Sequence, residues 1–381
     1  MMKDSARLKI AILLSAIAAI LVAGCGRRTE PVHRIVLQAE GEPTYDDDTR
    51  CTLIADGDTM SCGVHLRGGY SRRFSKHSYA LKFGSRYPLC GLPADKDWVL
   101  NASAVDRTFM RHGLSFDIFR AMHPDNRSPM CAYALMDSGL YVVMQKPDAS
   151  TLGIDKTSDA AVIFKEPPLL YADSVGEMDE FQKYPKPRKG LRTDGYERLR
   201  WLIHEADDST FGAEIGTMVE LRSVADLHLL VLLTNNADGL LKGYYLYCTG
   251  ADTRFRMAPW DYDHAFGRDG DGEPNMLERT VNDTVSPLLH RLLKTGFYPT
   301  LLADRWTELR RSGVIDTKTL LKRVDALDRT LRRAAQTDLQ RWPEDETGYM
   351  PEPDFDDEVE IIRRFIPLSI ERLDKRFGNK D

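Results

Sequence analysis

The chain has 381 residues, 42% of them apolar and 29% charged, with a formal net charge of −6. That length and apolar content support a large core or two lobes and exclude a disordered chain. The negative balance supplies no basic field of the kind that draws proteins onto nucleic acid, so no nucleic-acid partner is expected.

At the start, Lys3, Arg7 and Lys9 precede an apolar stretch from Ile10 to Leu21, and Val22-Ala23-Gly24 leads into Cys25. The apolar run is short for a membrane span, and small residues before a cysteine suit signal cleavage and acylation of that thiol. Residues 1–24 are therefore expected to be a lipoprotein signal, with Cys25 the lipidated first residue of a tether over 25–33. The expectation is an exported protein anchored to a bacterial membrane, at the outer membrane or cell surface.

From 34 to 165 a β-rich lobe is expected. "RIVLQA", "CTLIAD", "MSCGVHLRG" and "SYALKF" carry β-branched or alternating apolar residues between turn signals. Asp56-Gly57 is a strong two-residue hairpin turn. Counting outward from it sets Cys51 opposite Cys62, close enough for a bridge after modest adjustment. Export permits disulfides, so one is expected there. Cys90, Cys131 and Cys248 have no such partner, and no Cys/His cluster shows zinc-ligand spacing. "DRTFMRHGLSFDIFRAMHP" predicts a helix with Asp106 capping its start, and "CAYALMDSGLYVVMQKP" a hairpin.

Prolines, glycines and charges between Glu166 and Thr193 mark a surface loop or lobe connection. The remaining chain, 166–381, is expected to be mainly helical. "LRSVADLHLLVLLTNNADG" predicts a helix buried on most sides that ends around Asn235, and "KGYYLYC" and "FRMAPWDYD" predict a strand pair. Amphipathic helices are predicted over 287–293, 299–311, 317–341 and 356–377. The fold class is thus α+β, with a β-rich front lobe, a helical rear lobe and a cleft between them.

Asp238 leaves the buried helix in a polar turn, and Asp261 and Asp263 follow the second strand of the pair. Taken alone, "NADG" is an ordinary helix-ending turn and the two later aspartates an ordinary polar turn. Together they also fit metal-dependent phosphoryl transfer, in which carboxylates hold a divalent cation and a base faces the attacking hydroxyl. Lys76 and Lys82 lie in a basic strand segment after a glycine pair, whose backbone amides can approach phosphate. Arg111 either reaches phosphate or pairs with Asp106 or Asp117 on its own helix. "RDGDGEPN", with Asp269, Asp271 and Glu273, resembles a calcium loop but lacks the full spacing, so a flexible acidic loop is expected.

In order, "LRGGYSRRFSKHSYALKF", "DWVLNASAVDRTFMRHGLSFDIFRAM", "GLYVVMQKPD" and "APWDYDHAFG" resemble the CotH kinase family, the spore-coat-type atypical protein kinases. The likeness runs from about Arg67 to Gly267, and the Pro-Trp-Asp-Tyr-Asp block is its most specific part. The resemblance implies a two-lobed atypical kinase fold using ATP with Mg2+ or Mn2+. It makes Asp238 the catalytic carboxylate and Asp261 and Asp263 metal ligands, and places Arg67, Lys76, Lys82, Arg111 and Gln145 near the phosphates. It also implies phosphorylation of Ser or Thr on a protein substrate at the cell envelope. Two positions depart from the pattern: Gly243 stands where the family has an asparagine suited to a second metal, and Gln145 where it has a glutamate. They favour the alternative, a degenerate lipoprotein that binds nucleotide, metal or an envelope polysaccharide without catalysis. Asn235, Asn236 or Asp263 could supply a substitute ligand.

Overall fold

Alternating apolar residues joined by two-residue turns fold the front of the chain into a barrel. The protein is described by a computed structural model covering residues 32–167, 181–186, 194–268, 277–278, 280–343 and 354–378. The expected signal, the expected lipidation at Cys25 and the expected acidic loop at 269–273 lie outside these residues. None of the described helices is long and apolar enough to cross a membrane.

Seven strands close the barrel in the order β1-β2-β3-β4-β5-β7-β6. They are β1 (His33–Ala39), β2 (Thr49–Ala55), β3 (Asp58–Arg67), β4 (Ser78–Leu89), β5 (Leu92–Asn101), β6 (Cys131–Met136) and β7 (Gly139–Gln145). Helix α1 (Arg111–Met122) intervenes between β5 and β6. The period of two sets the inside: Cys51, Leu53 and Ala55 on β2 and Cys62 and Val64 on β3 are buried with Leu81, Trp98 and Tyr141. Parallel pairing of β1 with β6 closes the ring and leaves no open edge.

The hairpin register is the one counted from Asp56-Gly57, with Ala55 opposite Asp58 and Cys51 opposite Cys62. The expected disulfide is absent: both thiols are free and buried. Directly opposed residues hold their Cβ atoms about 4.5–5.5 Å apart, wider than the ~3.8 Å typical of a bridge, and here the Cys51 thiol donates to Thr52 O at 3.5 Å. Burial pushes the Cys62 thiol up to about 12, so it keeps its proton.

A second, four-stranded sheet in the order β11-β10-β8-β9 lies beyond the barrel. It comprises β8 (Val162–Lys165), β9 (Gln182–Tyr184), β10 (Tyr244–Cys248) and β11 (Arg256–Pro259). Strand β8 pairs with β10 and so belongs to this second sheet. The helices of this half are α2 (Asp194–His204), α3 (Asp208–Met218), α4 (Leu221–Thr234), the single turn α5 (Asp238–Leu241), α6 (Pro287–Lys294), α7 (Tyr298–Arg311), α8 (Thr317–Arg341) and α9 (Phe355–Phe377). The α+β class, with β structure in front and helices behind, is as expected.

Helix α4 is the axis of the rear half. Glu220 caps it by accepting from the Arg222 and Ser223 amides, and Asn235 stops it by turning left-handed at φ +56°. Between these ends every residue from Ser223 to Thr234 is buried, at about 1.5–3 kcal/mol for each large apolar side chain. The one acid inside, Asp226, is held by Arg305 at 2.6 Å and by Asn126 at 2.8 Å. This helix ends where the acidic residues begin.

Candidate functional site

Block 260–267 is clamped from three sides. The Trp260 amide donates to Gly243 O at 2.8 Å, and the Phe266 amide to Thr234 O, at the end of α4, at 2.7 Å. Arg111 donates from Nε to Ala265 O at 2.7 Å. Beneath, Tyr262 is fully buried against Phe116, and Phe266 meets Phe365 edge-on. These anchors leave Asp261 in a left-handed conformation, φ +60°, with its side chain half exposed and aimed away from the core.

The structure brings Asp261 and Asp263 together with a residue that spacing did not point to, His112 in the first turn of α1. One ligand atom from each lies within 4.8 Å of the others. His112 is itself buried, with Nε2 3.9 Å from Asp261 Oδ1. On the residues of this block and its neighbours, the buried polar atoms His112 Nδ1, Asn236 Oδ1 and Tyr262 Oη have no hydrogen-bond partner. Asn236 belongs to the same site, since its amide donates to Asp261 O at 3.3 Å. Orphaned buried polar atoms are costly, and the unpaired Asn236 Oδ1 is an oxygen next to the acidic cluster.

The two carboxylates titrate apart. The protein packed around Asp261 opposes its ionisation although half of the side chain reaches solvent, but His112, His264 and Arg67 outweigh that and hold the group down at about 2. Asp263 is pushed the other way, by burial first and then by the charge of Asp261. For His112, burial disfavours the charged ring, while Asp261, Asp263 and Asp106 overcome it and raise its pKa. Two oxygen donors and an imidazole in this arrangement fit a divalent cation such as Mg2+ or Mn2+.

Asp238 opens α5 and stands beside this cluster rather than in it. It pairs with Lys242 at 3.2 Å, and Lys242 also feels Asp261 and Glu166. Arg67, at the end of β3, sets its guanidinium 5.9 Å from the Trp260 ring centre and faces Asp261 and Asp263. Arg67 and Lys242 are thus two cations beside the carboxylates. Lys242 and Glu166 had no signal beyond nearness in sequence to a turn; only the pairing of β8 with β10 brings Glu166 here.

The other expected phosphate ligands are elsewhere. Lys76 lies before β4, not on it, and is buried 2.8 Å from Asp338 of α8, also donating to Ala102 O at 3.0 Å and Leu140 O at 2.5 Å. Lys82 is exposed on β4 and pairs with Asp48 at 3.3 Å. Arg111 is fully buried and used up by Asp106 at 2.6 Å, Glu358 at 3.0 Å and Ala265 O. Gln145 is committed to backbone, accepting from the Met130 amide at 3.2 Å and donating to Pro93 O at 3.4 Å. A buried cation with all donors engaged has none left for phosphate, and Lys82 points to solvent away from the carboxylates. Asp106 does act on the helix start, through the Arg111 amide at 2.9 Å, but α1 begins five residues after Asp106 rather than directly behind it.

Gly243 has a structural reason. Its φ is +77°, and a Cβ there would lie 2.8 Å from Trp260 O, so the asparagine of the family pattern has no room.

A family model described as CotH kinase protein matches residues 64–369. The inner spore coat protein H of Bacillus subtilis (strain 168) is 25% identical over 255 residues, 64% of this chain and 69% of that protein. Two solved structures align with 88% of the chain at a TM-score of 0.32. One is the Shewanella oneidensis MR-1 HipA, HipB and operator DNA complex, at 11% identity with 66% of that chain covered; the other is the Helicobacter pylori proinflammatory kinase CtkA, at 9% identity with 96% covered. Likeness at that level assigns neither fold nor activity. The family match spans most of the chain and includes every residue of the acidic site, and on that ground the chain belongs to the CotH kinase family.

Proposed function

We propose that the chain is an ATP-dependent, divalent-metal-dependent kinase that phosphorylates Ser or Thr hydroxyls of a protein at the bacterial cell envelope, to which it is anchored through Cys25. The observation that supports this most is the convergence of His112, Asp261 and Asp263 beside Asp238. Asp261 and Asp263, with His112, would hold the cation, which when bound neutralises triphosphate oxygens. Arg67 and Lys242 flank the carboxylates where phosphate charge would sit. Asp238 accepts the proton of the attacking hydroxyl as that oxygen bonds phosphorus; the bond to the ADP oxygen breaks and ADP leaves with its electron pair.

One observation favours a second reading, a non-catalytic member that binds nucleotide and metal. Asp238 is engaged by Lys242, and Gly243 offers no second-metal oxygen. Incubating the chain with radiolabelled ATP, Mg2+ or Mn2+ and envelope protein separates the two. Label transfer lost in Asp238→Ala and in Asp261→Ala supports the kinase; label indifferent to both removes it; nucleotide binding without transfer supports the second reading.

A further inference from the structure

We propose that His33, Asp56 and Cys90 form a binding site for a zinc-class divalent ion at the end of the barrel remote from the acidic site. The three come from different turns. His33 opens β1, Asp56 begins the β2–β3 turn and Cys90 begins the β4–β5 turn. One ligand atom from each lies within 4.8 Å of the others. Strand β3 runs ten residues from this end to Arg67, so about 30 Å of strand separates the two sites.

The donors are arranged as such a site requires. His33 Nδ1 lies 2.6 Å from Asp56 Oδ2, which fixes the ring, and the Arg34 amide donates to Asp56 Oδ1 at 3.3 Å. Taking the place of the proton that His33 and Asp56 share, one ion can span the ring nitrogen and the carboxylate, with Cys90 Sγ within the same 4.8 Å. Cys90 is buried, yet it occupies a left-handed turn position, φ +50°, where Asn, Asp or Gly would sit with less strain. A buried thiol at a turn is an unusual choice unless its sulfur is used. Nitrogen, thiolate and carboxylate together select Zn2+ over Mg2+ or Ca2+, and the half-exposed Asp56 leaves water access for a fourth ligand. On binding, the Cys90 S–H bond gives its proton to solvent and the sulfur bonds the ion; nothing is oxidised.

Cobalt(II) is the probe. Titrating the metal-free full-length chain in detergent with Co2+ should give thiolate-to-cobalt absorption that saturates at one equivalent and is displaced by Zn2+. Cys90→Asn, which suits the turn, and His33→Gln should abolish it, while Asp261→Ala should retain it because the acidic site contains no sulfur. In the unmutated chain Zn2+ should slow alkylation of Cys90 at least tenfold and leave Cys248 unchanged, as peptide mapping reads. No thiolate band, a band that survives Cys90→Asn or is lost with Cys51→Ser, or unprotected Cys90 would each overturn the proposal.

Discussion

His112 Nε2 stands 3.9 Å from Asp261 Oδ1, although one residue begins a helix of the front half and the other follows a strand of the rear half. The contact is made across the joint between the two sheets. It places an imidazole where the residue pattern alone offers two carboxylates, and an imidazole shifts preference toward Mn2+ relative to Mg2+.

His112→Ala should therefore weaken Mn2+ binding. Loss of even an outer partner of a metal ligand costs about 10–100-fold in affinity, and loss of a donor should cost at least that. Calorimetric titration of the full chain with Mn2+ reads it, with a thermal melt to establish that the variant is folded. An unchanged dissociation constant would remove His112 from the site.

Cation binding should weaken with acidity earlier than ordinary aspartates predict. Asp263 has a raised pKa, so it keeps its proton over part of the range in which a free aspartate, near 3.9, has lost it. Above that raised value Asp263 is ionised and can coordinate; as pH falls through it the donor is lost, and His112, also raised, takes up a competing proton. Asp261, held down at about 2, stays ionised throughout. Mn2+ affinity measured from about pH 8 to pH 4 should begin to fall above pH 4; a flat profile over that range would contradict it.

Lys76 and Asp338 form a latch, not a nucleotide contact. Asp338 Oδ1 also accepts from the Leu140 amide at 2.7 Å, so the pair ties the β4 lead-in, β7 and α8 together. Removing one partner of a buried pair strands a charge and costs about 3–5 kcal/mol, whereas replacing both is far milder. Lys76→Met should lower unfolding stability by that amount, and Lys76→Met with Asp338→Leu should recover most of it. Equal losses in the single and double variants by denaturant titration would mean that the two residues are not coupled.

Gly243→Asn should not recreate the second-metal ligand of the family pattern. The Cβ would meet Trp260 O at 2.8 Å, and relief requires shifting the segment that carries Asp261. The expected outcome is a loss of stability of about 1–3 kcal/mol and weaker Mn2+ binding. Tighter Mn2+ binding at unchanged stability would show that the backbone accommodates the side chain.

Much of the fold is written locally. The hairpin register around Asp56-Gly57, the stop of α4 at Asn235 and the extents of α6 to α9 follow from turn residues, caps and apolar period, and all act within a few residues of themselves. The Pro-Trp-Asp-Tyr-Asp block likewise marked Asp261 and Asp263. Residue type did not separate the cations. Lys76, Lys82, Arg67 and Arg111 read alike in sequence, and only the burial of Lys76 against Asp338 and of Arg111 between Asp106 and Glu358 shows that these two are spent on the scaffold, whereas Arg67 faces the carboxylates.

The amino-acid sequence by itself thus determined which segments are strands and helices, which family the motifs resemble and which aspartates are the candidates for the acidic site. Tertiary structure alone decided that His112 joins Asp261 and Asp263, that His33 and Asp56 meet Cys90, and that the facing Cys51 and Cys62 stay unbridged. The physical reason is one of range: secondary structure is set by neighbours along the chain, but a cation's partners are whichever acceptors barrel closure and helix packing bring within a few ångströms. Separation along the chain carries no information about that.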